Sequence, residues 1–307
     1  MVRVLYVVGA GRSGTTIFGN ILGSASGVAH VGELIYLWGG HHPSQEQCGC
    51  GDSLTNCKLW TSVLHDMGMT WENRSEVHQS RLAEMRMRHM PKRAAEYRKT
   101  GTVPRYANQL ARAYSAIADR AGASLVVDTS KSPADGFAAV VGQGVDAYVL
   151  QLVRDPRACA YSRGRRKRHG SEGDGQYMRL EKPAKTSARW LQVNGLAGRY
   201  LRTAVSEGRY RRLRYEHLIE GGRDAFAEIA EWVGLNPDDL PFTDGRHVAL
   251  TQSHTVMGNP NRYILGETEL TLDTEWVTKM SRNDRWSATW PATPLLQRYG
   301  YELSPRR

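Results

Sequence analysis

Gly9, Gly11 and Gly14 lie with Arg12, Ser13, Thr15 and Thr16 in one short stretch, GAGRSGTT, directly behind the apolar run Val4 to Val8. Glycines there let the main chain come close to a ligand. Successive backbone N–H groups from Gly11 to Thr16, at the start of the helix that should follow, make a nest for an oxyanion. Gly9-x-x-x-x-Gly14 followed by Thr15-Thr16 has P-loop spacing with one change: Thr15 stands where the lysine that reaches the β/γ-phosphates of ATP or GTP belongs. That argues against phosphoryl transfer from a nucleoside triphosphate. Arg12 supplies a cation from the opposite side of the turn. With the Ser13, Thr15 and Thr16 hydroxyls it suits an anion that needs no magnesium, such as a 5′-phosphosulfate. The plain alternative is a Gly-rich turn of any α/β protein.

Two further segments follow in order. The apolar run Ala147 to Val153 ends in Arg154-Asp155-Pro156-Arg157, with Ser162 eight residues after Arg154, and Arg212 to Leu218 reads RLRYEHL. Together with strand–GxxRSGTT–helix, these resemble the sulfotransferases that use 3′-phosphoadenosine 5′-phosphosulfate (PAPS). The likeness extends from residue 4 to about residue 262. It implies that Arg154 and Ser162 hold the donor's 3′-phosphate and that Tyr215 lies near the adenine. Arginine offers a planar fork to two phosphate oxygens, and a serine two turns into the next helix adds a third hydrogen bond. A surface ion pair is the alternative for Arg154, and a packed tyrosine at a strand end is the alternative for Tyr215.

Sulfuryl transfer needs a base for the attacking group and positive charge for the departing bisphosphate. Carbohydrate and tyrosyl-protein sulfotransferases carry a catalytic glutamate at a Gly-Glu position comparable to Gly32-Glu33 here, so the resemblance implies that Glu33 is the general base. A helix N-terminal carboxylate is the alternative. His30 is the second candidate base, although a histidine on a short strand is commonly just packed. The cytosolic small-molecule branch has a lysine where this chain has Arg12, which moves the likeness towards the other branch. Arg12 would stabilise charge on the bridging oxygen. Lys131, in Asp128-Thr129-Ser130-Lys131-Ser132-Pro133, is a second candidate for that work, or belongs to a helix-capping neighbourhood that starts at Ser132. Arg262, in the Gly- and Pro-punctuated segment His254 to Tyr263, corresponds loosely to a family loop that closes over the 3′-phosphate.

Periodicity places these residues on an α/β frame. Strands are expected at Val4 to Val8, Val28 to Val31, Ser124 to Val127, Ala147 to Val153 and Arg211 to Tyr215. Helices are expected at Thr15 to Gly23, around Leu110 to Ala121, at Ala188 to Thr203 and at Arg223 to Val233, the last stopping at Gly234. Alternating strands and helices imply a parallel sheet flanked by helices, with function at the carboxyl ends of the strands. The resemblance makes this the P-loop-like sulfotransferase architecture. A chain of 307 residues with 40% hydrophobic content supports one domain over 1–307, with acceptor-pocket or lid insertions at 41–99 and 163–185.

The 41 basic and 31 acidic residues give a formal charge of +10. A polyanionic donor uses part of that. Aromatics make up only 8% and no recognition motif appears, so nucleic acid is not an expected partner. Five of the six residues from Arg163 to Arg168 are basic, followed by a Gly- and charge-rich run from His169 to Gly175, and the stretch reads as an exposed flexible loop. The opening apolar run is far shorter than the ~18 to 20 residues a membrane helix requires, which points to a cytoplasmic protein without a transmembrane segment.

Cys48-Gly-Cys50-Gly-x5-Cys57 brings three thiols within ten residues. Zinc needs four ligands, which His41, His42 or Asp52 would complete, but the C-x-x-C pairs of zinc knuckles are missing. A Cys48–Cys57 or Cys50–Cys57 disulfide is not expected in a reducing compartment. The segment therefore reads as a structured loop of reduced or redox-sensitive thiols near the acceptor pocket, with no metal assigned. Trp60, Trp71 and five methionines between residues 41 and 99 suit an amphiphilic acceptor: a small molecule, a glycoside or a lipid. The favoured reading is a PAPS-dependent, metal-independent sulfotransferase. The alternative is a non-catalytic nucleotide-binding or regulatory protein that keeps the anion loop.

Overall fold

A computed structural model describes residues 1–39, 46–165 and 180–303. The chain opens with β1 (Val2–Val8), α1 (Thr15–Gly23) and β2 (Val28–Gly32), then lays down α2 (Lys58–Asp66), α3 (Ser75–Glu84), α4 (Met90–Thr100) and α5 (Arg105–Ala121). It continues as β3 (Leu125–Lys131), α6 (Pro133–Val141), β4 (Val145–Val153), α7 (Pro156–Gly164) and α8 (Pro183–Leu196). A π turn over Ala197–Leu201 leads into α9 (Arg202–Ala204), β5 (Tyr210–Arg214) and α10 (Tyr215–Val233). A hairpin of β6 (His247–Leu250) and β7 (Gly266–Glu269) precedes α11 (Glu275–Lys279) and α12 (Arg282–Leu296).

Five strands form one parallel sheet in the order β2-β3-β1-β4-β5. β1 lies between two other strands, with Val4 opposite Val126 on one side and Ala147 on the other. Its side chains alternate: Val4, Tyr6 and Val8 enter a core with α2 to α6, and Leu5 and Val7 enter another with α1 and α10. A strand buried on both faces must be apolar throughout, which is why it is so plain in the sequence. Chain order reverses direction across β1 and β4, so the crevice at their carboxyl ends is where an open α/β sheet binds ligands.

Several element boundaries differ from the sequence reading for identifiable reasons. β3 runs on to Lys131 because Asp128, Thr129 and Ser130, although polar, are buried and hydrogen-bonded inside the fold; Tyr114 Oη donates to Asp128 Oδ2 at 2.6 Å. α10 begins at Tyr215, and Gly222 (φ 50°, ψ −132°) interrupts it, so only its second part coincides with the expected helix. α8 begins at Pro183, inside the 163–185 stretch expected to be an acceptor-pocket or lid insertion; residues 166–179 of that stretch, and His41 and His42, lie outside the described residues. Trp60, Met67, Met85 and Met90 are core residues, not pocket lining. Among the described residues no helix is long and apolar enough to cross a membrane.

Candidate active site

A cleft of about 840 Å3 opens at the carboxyl ends of the strands. Its floor is the turn between β1 and α1. Arg12 and Gly14 adopt left-handed backbone (φ 74° and 85°), which turns the chain sharply enough to present its amides to the cleft. Gly14 is required twice over: its conformation favours glycine, and a Cβ there would lie 2.2 Å from the Tyr215 ring. Gly14 also occupies the cap position of α1, so no side chain satisfies the first N–H groups of that helix. An anion would do so. Gly11, Arg12, Gly14, Thr15 and Thr16 line the cleft. The Ser13 side chain is buried and points to Cys159, 3.8 Å away, leaving that residue only its backbone to offer.

Arg154 leaves β4 into the same cleft. Its guanidinium donates to the carbonyls of Arg12 and Asp273, both at 3.2 Å, and rests on the Tyr215 ring 4.8 Å from its centroid. Ser162, two turns into α7, accepts from Arg12 Nε at 3.0 Å. Burial, and then the neighbouring Arg163, Arg154 and Arg165, pull Arg12 down to about 10. Such crowding of like charge in a half-enclosed site favours a bound polyanion. Arg157, three residues on, is not part of this: it is buried in an ion pair with Asp155 (2.7 Å) that fixes the start of α7. Tyr215 packs against Gly14 and under the Arg154 guanidinium, at the same end of the cleft as the Gly-rich turn.

Across the cleft, Lys131 Nζ donates to Glu33 Oε1. Two bends aim this pair. Lys131 has φ 69°, and Asp128, at the inner end of the same turn, accepts from Ser130 N at 2.8 Å and holds it. Glu33 precedes a 3-10 turn, Leu34–Tyr36, without capping it, and its amide donates to Val256 O at 2.8 Å. The carboxylate is therefore free of a helix-capping role. Ser132 does cap α6, so the capping neighbourhood beside Lys131 is real and coexists with a lysine turned towards the cleft.

Two expected residues are elsewhere. His30 is fully buried against Gly19 and Gly23, with Nε2 3.3 Å from Thr129 Oγ1, and it does not line the cleft. Burial, and then Lys131, lower it to about 3, so it stays neutral. Arg262 turns away, donating to Gln47 O at 2.8 Å and stacking on Tyr263. Its segment reaches the cleft through Met257, Gly258, Asn259 and Asn261 instead. Sequence reasoning also missed the opposite wall: Arg81, Arg86 and Met87 from α3 and the turn after it, and Arg189 from α8. Arg81 is anchored by fully buried Asp135 on α6, at 2.5 and 2.7 Å, a pairing across 54 residues that no local pattern announces.

The β2-β3-β1-β4-β5 sheet agrees with comparisons to known proteins. The sulfotransferase family model matches residues 5–239. The chain belongs to the sulfotransferase family. Two solved sulfotransferase domains share the fold over nearly the whole length. One, from the Synechococcus PCC 7002 olefin synthase, is 18% identical at TM-score 0.53, covering 98% of this chain and 96% of its own. The other, from the curacin biosynthetic pathway, is 13% identical at TM-score 0.51, covering 99% of both. No curated protein matches the sequence.

Proposed function

We propose that this sulfotransferase takes the sulfuryl group from PAPS and delivers it to a hydroxyl on a small-molecule, glycoside or lipid acceptor. The observation that carries the reading is the convergence of three sets of groups on one cleft: the β1–α1 nest with Arg12, which donates to Ser162; Arg154; and the Glu33–Lys131 pair. The nest amides and the Thr15 and Thr16 hydroxyls hold the 5′-phosphosulfate, and Arg154 with Ser162 holds the 3′-phosphate. Tyr215 keeps Arg154 in place. Glu33 accepts the proton of the attacking hydroxyl as its oxygen bonds to sulfur. Arg12 and Lys131 meet the charge that develops on the bridging oxygen as the sulfur–oxygen bond to the bisphosphate breaks. These cations do the work that magnesium does for nucleoside triphosphates. The Gly-Glu position and Arg12 favour the carbohydrate and tyrosyl-protein branch of the family. That the two solved domains belong to an olefin synthase and a biosynthetic pathway is compatible with a small-molecule acceptor.

Calorimetric titration with adenosine 3′,5′-bisphosphate, run beside ATP with magnesium, tests the donor. Binding of the bisphosphate and not of ATP is expected. The reverse result would overturn both the donor and the role of Arg154.

A further inference from the structure

Outside the lining of the cleft, Cys48, Cys50 and Cys57 meet His254 with their donor atoms all within 4.8 Å of one another. His254 Nδ1 lies 3.2 Å from Cys57 Sγ and 3.8 Å from Cys48 Sγ. A tetrahedral zinc ion with Zn–S bonds of ~2.3 Å and Zn–N bonds of ~2.0 Å spaces its ligands by roughly 3.5 to 3.8 Å. The two His254–cysteine separations thus bracket that spacing, and all four donor atoms lie close enough for one ion to draw them together. We infer that Cys48, Cys50, Cys57 and His254 hold a structural zinc ion that pins the 48–57 segment to the strand-like run before Met257.

The surroundings are those of a built site. All four cysteines of the chain are unpaired thiols, with Cys48 and Cys57 buried, so the cluster is not a disulfide. Cys48 and Cys50 are joined by Gly49, whose amide donates to Thr255 O at 3.0 Å; a Cβ at Gly49 would lie 2.3 Å from Thr255 Oγ1 and 2.4 Å from Ser253 O. Only glycine lets the two cysteines close on the run that carries His254. Gly51, with φ 93°, completes the tight turn, and Cys48 N donates to Asp52 O at 2.8 Å. Cys57 stands at the cap position of α2, beside the positive end of that helix, where a thiolate is favoured. Asp52 Oδ2, 3.8 Å from Cys50 Sγ, is an outer neighbour and not the fourth ligand. Three thiolates and one imidazole form a closed donor set that selects zinc over harder cations, with no position for substrate.

The ion would act on the active site through the backbone. Two residues beyond His254, Val256 N donates to Val31 O at 2.9 Å and Val256 O accepts from Glu33 N at 2.8 Å. Gly258 follows within 3.5 Å of Glu33 Oε1, measured from where its Cβ would stand. Fixing His254 therefore fixes the strap beside Glu33 and the Met257–Asn261 wall of the cleft. Zinc is structural here, and the inference does not depend on which donor or acceptor the enzyme uses.

The test is metal analysis of protein purified without chelators or metal-affinity resin, followed by cobalt(II) substitution. We expect about one zinc per chain, released when a mercurial blocks the thiols, and cobalt spectra with tetrahedral d–d bands and thiolate-to-cobalt charge transfer. Cys57→Ser and His254→Ala should lose the metal, while His254→Cys, which offers a fourth sulfur, should keep it. Wild-type protein that carries no stoichiometric zinc and gives no thiolate-to-cobalt band overturns the inference. So does a thiol count showing a disulfide within the cluster. Because the wild type alone decides the outcome, a variant that fails to fold leaves the test intact.

Discussion

The end of the cleft proposed to take phosphate and the end that faces Glu33 are assembled from different kinds of material. At the phosphate end each group sits at or just after the carboxyl end of a strand, within a short run of sequence: Gly11 to Thr16 after β1, Arg154 to Ser162 after β4, Tyr215 after β5. Around Glu33 the walls come from places far apart in the chain: Arg81 and Met87 from the α3 region, Arg189 from α8, and Met257 to Asn261 after β6. The first end follows from a sheet whose strands converge, and the fold positions it almost automatically. The second depends on long-range pairs such as Arg81–Asp135 and on the cysteine–histidine cluster. On the proposed reading, the donor is met by groups that the sheet itself positions, and the acceptor by segments inserted around it.

The largest effect expected from breaking this contrast is at Glu33. Glu33→Gln keeps size and hydrogen bonding but removes the proposed base, so transfer should fall by about two to four orders of magnitude. Binding of adenosine 3′,5′-bisphosphate, governed by the other end, should barely change. Measuring turnover and bisphosphate affinity on the same preparation checks this; a parallel loss of both would mean that the two ends are not separable.

Next comes Arg81→Ala, which should act through stability. It strips a fully buried Asp135 of its cation and leaves Tyr106 Oη, at 2.7 Å, as its chief remaining donor. Breaking a buried pair from one side costs about 3 to 5 kcal/mol. Thermal denaturation should show that loss for Arg81→Ala and a smaller one when Asp135→Asn is combined with it, since no uncompensated charge then remains. Arg154→Ala should be milder and selective. Removing a charge-assisted contact costs about 1.5 to 3 kcal/mol, or roughly 10- to 150-fold in affinity. The loss should appear for ligands that carry the 3′-phosphate and be much smaller for adenosine 5′-phosphosulfate, which lacks it. Equal weakening of both would remove the 3′-phosphate from Arg154.

The same contrast governs what the sequence discloses. β1 and β4 are legible because their buried stretches, Val4 to Val8 and Val149 to Val153, are apolar but for Gln151, and the nest is legible because only certain residues can make a sharp turn around an anion. Lys131 is legible as a strand-end cation, although the polar run Asp128-Thr129-Ser130 hides the last half of β3: its burial depends on Tyr114, fourteen residues upstream. The Glu33 side is opaque for the same reason in a stronger form. His254 joins Cys57 across 197 residues, and nothing near either one says so; of the ligands weighed locally, Asp52 stands only beside the cluster. Trp60 and the methionines read as pocket lining because hydrophobicity does not distinguish a cavity wall from a core, and only Met87 of the methionines in that segment reaches the cleft.

A last expected effect, spread over a pH window, concerns the residue beneath the turn that carries Lys131. Asp128 is fully buried beneath the turn that aims Lys131, and burial raises its carboxyl to about 6 against the bonds from Ser130 and Tyr114, with Asp135 adding to the rise. In the unfolded chain it titrates near 3.8. Between those values the folded state keeps a proton that the unfolded state has released, so this group's contribution is fully present below about 3.8 and is lost as pH rises through about 6. The expected signature is a fall in unfolding free energy across that window, at up to about 1.4 kcal/mol per pH unit for one proton. Asp128→Asn should abolish that part of the slope. Its amide oxygen can still accept from Ser130 N and its amide nitrogen can donate to Tyr114 Oη, so the turn, and with it the placing of Lys131, should survive. Denaturant melts of both proteins between pH 4 and 7 measure the difference directly. Identical slopes would mean that Asp128 is ionised in the fold throughout, and that the turn carrying Lys131 is held by a charge and not by a shared proton.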